Sequence, residues 1–117
     1  MQGHRIVRTG PRLKSMQRAL THDGLLPNPM TKSGKHRRPT TTDIRAMKAF
    51  IETNRNERTS FDIIVEGTTP GDYPKRAAAQ VRRWAKAGAT RLIEAMWEAR
   101  GLDLVLERIR QGPPRVE

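Results

Sequence analysis

The chain has 117 residues, enough for one domain with a modest core and too few for two. It lacks cysteine, which excludes disulfides, thiol catalysis and thiolate metal sites and fits a reducing compartment, so a cytoplasmic location is the expectation. No apolar run approaches the roughly 20 residues of a membrane span, and MQGHRIVRTG has no signal-peptide apolar core, so no membrane partner is expected.

The net charge of +11 is unevenly spread. Residues 1–38 hold nine Lys/Arg against Asp23 alone, whereas the remainder holds fourteen against eleven Asp/Glu. Such a surface attracts nucleic acid, anionic lipid or phosphorylated ligands, but it does not specify a fold.

The first element in chain order is RIVR (residues 5–8), a short strand, followed by a Gly10-Pro11 turn. Leu13, Met16, Ala19 and Leu20 then recur at helical spacing until His22-Asp23-Gly24 breaks the helix. Leu25 and Leu26 form a second short strand ending at Pro27. Residues 27–41 read as a basic loop, with Pro27, Pro29 and Pro39 among Lys32, Lys35, His36, Arg37 and Arg38. In TTDIRAMKAFIETN a threonine or Asp43 caps a helix whose apolar face is Ile44, Met47, Phe50 and Ile51.

The second half repeats the rhythm more clearly. FDIIVE (61–66) is β-branched and bounded by Gly67, Pro70 and Gly71, as a buried strand should be. Pro74 opens a helix at its first position, Ala77, Ala78, Val81, Trp84 and Ala85 mark the apolar side, and Gly88 closes it. TRLIEAMW (90–97) is a fourth strand. In LDLVLERIR, Leu102, Val105, Leu106 and Ile109 trace the apolar face of a last helix, which stops at Gly112-Pro113-Pro114.

Four strand–helix pairs in succession imply a parallel sheet with right-handed crossovers. The pattern is met by a small open α/β sheet or by four sequential units of an eight-unit (β/α) barrel, which typically needs about 250 residues.

The sequence resembles the luciferase-like monooxygenase family, flavin- or deazaflavin-dependent oxidoreductases built on a (β/α)8 barrel. The resemblance lies in SMQRALTHDGLLPNPM, PTTTDIRAMKAFIE, FDIIVEGTTPGD, WAKAGATRLIEAMWE and LERIRQGPPR, five collinear pieces over about residues 10–115. It implies that residues 1–117 are a partial barrel domain, the C-terminal half of a (β/α)8 TIM barrel. It also implies a cofactor, FMN or deazaflavin, a small organic substrate, and oxidoreductase or monooxygenase chemistry that this truncated chain would not complete alone. The missing half would be supplied by a homo-oligomer or by a complementary half-barrel chain.

By that resemblance VEGTTPGD ends strand seven, at the barrel face where active sites and phosphate loops lie. Gly67, Thr68 and Thr69 are the expected cofactor-binding residues there, offering backbone N–H groups and hydroxyls, and Trp97 would border a flavin ring at the end of strand eight. The competing reading of GTTPG is an ordinary turn, and of Trp97 simple packing. Glu66 would point into or beside the mouth. No catalytic residue is assignable, since Glu94 and Glu98 lack an identifiable acid–base partner. His4, His22 and His36 have no ligand-like spacing, so no metal is expected.

The alternative reading is a small basic nucleic-acid-binding protein. Lys75, Arg76, Arg82, Arg83 and Lys86 fall on one side of their helix, and KSGKHRR adds further cations. Without a helix-turn-helix, zinc finger or aromatic stacking platform, nucleic acid is not the expected partner.

Overall fold

Short aliphatic runs alternating with helix-length amphipathic segments produce four strand–helix pairs. The computed structural model describes residues 4–56, 59–96 and 99–115. In order these form β1 (Ile6–Thr9), α1 (Leu13–Ala19), β2 (Gly24–Pro27), α2 (Thr41–Asn54), β3 (Asp62–Gly67), α3 (Pro74–Ala87), β4 (Arg91–Glu94) and α4 (Leu102–Gln111).

Helix ends follow from local chemistry. Thr40 caps α2: its hydroxyl accepts from the Asp43 N–H, while the Asp43 carboxylate accepts from the Thr40 N–H at 2.7 Å. Pro74 occupies the first turn of α3, where its missing N–H costs nothing. Gly88 ends that helix at φ 126°, a conformation only glycine adopts without strain, and a Cβ there would also press on Lys48.

All strands are parallel and lie in the order β1-β2-β3-β4. One sheet face is the core face: Leu25, Ile63 and Val65 cluster with Met16, Ala19, Ile44, Met47, Ile51 and Ala87, and Val7, Leu92 and Trp84 pack around them. Sequential order with right-handed crossovers places all the helices on that side. The other face, by strand alternation, carries Ile6, Arg8, Leu26, Asp62, Ile64, Glu66, Arg91 and Ile93.

Several boundaries differ from the sequence reading. Gly24 opens β2 instead of closing the preceding turn, because Asp23 is already bonded across the sheet through Arg5 and Asp62. A Cβ on Gly24 would stand 2.8 Å from the Asp62 carbonyl oxygen and 2.6 Å from Ile6 Cδ1, so glycine permits the close approach of three strands. The basic segment is an ordered turn, with the Thr31 N–H donating to the Lys35 carbonyl and Met30 bridging His36 in antiparallel fashion. Strand β4 stops at Glu94, so it is four residues long and not the eight of TRLIEAMW.

The largest correction concerns α4. Its apolar stripe is mostly open, with Leu102 70% and Ile109 67% exposed and Val105 half-buried, while Arg108 is buried. Periodicity identified the helix correctly, but the burial of its stripe requires a neighbouring element, and α4 sits at one end of the helix layer.

Candidate functional site

At the C-terminal ends of the four strands lies a cleft of about 630 Å³. Arg8 reaches it from β1, Asn28 follows β2, Glu66 and Gly67 end β3, and Ala95 and Met96 follow β4. His36, Arg37, Arg38 and Pro39 of the basic segment form its remaining wall. Ligands of parallel α/β sheets bind at this end, where strand termini and loops converge.

Arg8, Glu66 and Arg37 are each held by an ion pair. Arg8 donates to Glu66 at 2.8 Å, joining β1 to β3 across β2. Arg37 donates through both terminal nitrogens to the Asp43 carboxylate, at 2.8 and 2.9 Å, which fastens the basic wall to the cap of α2. The Arg37 guanidinium is the main reason that Asp43 titrates low, at about 2, with the Thr40 N–H and hydroxyl adding to it.

Of the residues nominated from the sequence, Gly67 and Thr68 line the cleft. The Thr68 hydroxyl donates to the Ala95 carbonyl, tying the ends of β3 and β4 together. Thr69 is elsewhere: it is 2% exposed, and both its N–H and its hydroxyl donate to Glu94. Trp97 lies outside the described residues, as does Glu98. Glu66 lines the mouth, as its place at the end of the strand implied.

No protein-family model, no curated protein and no solved structure matches the chain.

Arg108 is the residue that sequence reading missed. Its Nε donates to Glu94 at 3.0 Å and to the Thr69 carbonyl at 3.2 Å, its second terminal nitrogen donates to the Thr69 hydroxyl at 2.8 Å, and the first donates to the Gly112 carbonyl. The one available signal was a cation in the last turn of an apolar helix, three positions before its end at Gln111, which also suits an exposed C-terminal charge. A second, apolar gap of about 700 Å³ lies between α3, β4 and α4, lined by Val81, Leu92, Val105 and Ile109 with Glu94 and Arg108 in its wall. Its polar groups already satisfy one another, so the strand-end cleft is the better candidate despite its smaller volume.

At the opposite end of the strands, Asp62 accepts from the Thr90 hydroxyl and pairs with His4 at 2.8 Å and Arg91 at 3.6 Å. The Thr90 hydrogen bond is the main cause of its lowered pKa, with His4 and Arg91 adding to it. Among the described residues no group of three or more His, Cys, Asp or Glu side chains is arranged to hold a metal. No described helix is long and apolar enough to cross a membrane.

Proposed function

We propose that this chain is the carboxyl-terminal half of a (β/α)8 barrel of the luciferase-like, flavin- or deazaflavin-dependent oxidoreductase type, contributing one wall of the cofactor site. The observation that carries the reading is the sequential β1-β2-β3-β4 order, with helices on one face and a polar cleft across the strand C-termini. Four sequential units account for half of such a barrel, and the bare sheet face takes the place of its interior.

The donor set of the cleft fits an anionic cofactor. Arg8, Arg37 and Arg38 outweigh Glu66 in charge, and His36, Asn28 and Thr68 add polar side chains beside them. Arg37 and Arg38 would face a cofactor phosphate, Gly67 and Thr68 would border its polar edge, and Glu66 would keep Arg8 oriented across the strand ends. A bound flavin supplies the redox chemistry itself, exchanging hydride with a nicotinamide or an organic substrate and reacting with oxygen. The residues of this chain orient that group and cover one side of it. Turnover needs the other wall, so a single copy is expected to bind without catalysing.

The test is titration of the purified chain with FMN and, separately, with a deazaflavin cofactor. Quenching of cofactor fluorescence and a raised melting temperature support the reading, and Arg37→Glu should weaken both. Unchanged fluorescence and melting with either cofactor would remove the flavin assignment.

A further inference from the structure

We infer that the bare sheet face and both free strand edges are an interface for a second copy of this chain, two copies closing one eight-stranded ring. This deepens the half-barrel reading by naming the partner that completes the strand-end cleft.

The chain exposes 8878 Å², against about 6,500 Å² for a compact monomer of its mass. Its radius of gyration is 15.5 Å, against about 13.4 Å for a compact domain of this length. The excess, about 2,400 Å², is the scale of surface that an obligate partner covers.

Ile6, Leu26 and Ile93 are the partly exposed aliphatic side chains of the open face, Ile93 the most exposed of them and Ile64 already buried between its neighbours, and the charges beside them are already paired within one copy: Arg8 with Glu66, and Asp62 with His4 and Arg91. Closing the face therefore buries aliphatic surface without stranding an unpaired charge.

The two lateral ends are complementary. Strands β1 and β4 are both four residues long, both terminal in the sheet and parallel, so β4 of one copy continues onto β1 of the other. In the helix layer the same rotation brings α4 beside α1 of the second copy. Helix α4 exposes Leu102, Leu106 and Ile109 with Asp103, Glu107 and Arg110, the last 3.9 Å from Glu107, whereas α1 exposes Leu13 with Lys14 and Arg18. Apolar surface thus meets apolar surface, and an α4 surface on which two carboxylates outweigh one cation meets the cations of α1. A two-fold axis makes both seams equivalent and leaves no edge.

Self-association must also overcome the +11 charge on each copy, so salt should strengthen the assembly by screening that repulsion. An acidic partner held by the basic surface would instead be released by salt.

Analytical ultracentrifugation of the full chain from 1 to 200 μM, in about 0.1 and 0.5 M salt, tests the inference. The expected species is a discrete dimer, favoured at the higher salt. Leu106→Asp on the exposed α4 stripe and Ile93→Lys on the open face should each weaken dimerisation at least tenfold, with helix content by circular dichroism unchanged for Leu106→Asp. Arg83→Glu on the outer side of α3 should not weaken it. A monomer at every concentration, an open-ended ladder of larger species, or a dimer indifferent to Leu106→Asp overturns the inference. A dimer that binds no flavin leaves this inference standing and removes the cofactor assignment, while a monomer that binds flavin does the reverse.

Discussion

The Arg108 guanidinium of α4 meets the Glu94 carboxylate at the end of β4, with Nε 3.0 Å from Oε1. The same carboxylate accepts from the N–H and hydroxyl of Thr69, so the β3–α3 connection, the end of β4 and helix α4 converge on one ion pair. Arg108 has only 10% of its side-chain surface exposed, and every nitrogen of its fork has an acceptor. This pair fastens α4, whose apolar stripe is otherwise turned outward.

Replacing Arg108 by Met should therefore cost about 3 kcal/mol or more, because Glu94 is left partly buried without its counter-charge. Arg108→Lys should restore less than half of that, since an ammonium cannot reach Glu94, Thr69 and Gly112 together. Urea unfolding measures both, and a loss below about 1 kcal/mol for Arg108→Met would show that the pair does not hold α4.

Asp43 joins the cap of α2 to the basic wall of the cleft. Its pKa lies at about 2 in the folded chain and at the ordinary carboxylate value when unfolded, so its contribution is complete above about pH 4. That stability is lost as pH falls through the folded value, with most of the loss between about pH 4 and pH 2. Asp43→Asn should lower stability at pH 7 by about 1–2 kcal/mol and flatten the acid limb of the stability profile. A variant whose acid limb superimposes on the parent's contradicts this assignment.

Gly24 should not tolerate a side chain. An added Cβ would meet the Asp62 carbonyl oxygen, which is backbone and cannot swing aside, so Gly24→Ala should cost about 1–3 kcal/mol. Thermal melts decide this, an unchanged midpoint being the contrary result. Gly34, where an added Cβ meets nothing within 4 Å, lies in an exposed turn at φ 83°, so Gly34→Asn isolates a milder conformational penalty for comparison.

The basic outer side of α3 tests the nucleic-acid alternative. Lys75, Arg82, Arg83 and Lys86 are exposed and have no ion pair among the described residues, while Arg76 lies over the Tyr73 ring. As a solvated face, it should accept Arg82→Glu with Arg83→Glu within about 0.5 kcal/mol and without change in flavin affinity. Steeply salt-dependent binding of random duplex DNA, abolished by the same pair of substitutions, would favour the alternative instead.

Local chemistry made much of this protein readable from its residues alone. The alternation of apolar runs, the helix stops at Gly88 and Gly112, the proline at the start of α3 and the polar turn after β3 are all consequences of backbone preference and periodicity, which act over a few neighbours. The placement of Gly67 and Thr68 at the strand end followed from the same reasoning. Tertiary structure decided what lay beyond that range. Thr69 turned to Glu94, Arg108 was buried in place of the leucine stripe, and Gly24 entered the sheet, because each outcome depends on groups 18 to 39 residues away. The separation of the sheet into a core face and a bare face is likewise invisible to periodicity, which locates apolar side chains without saying what covers them.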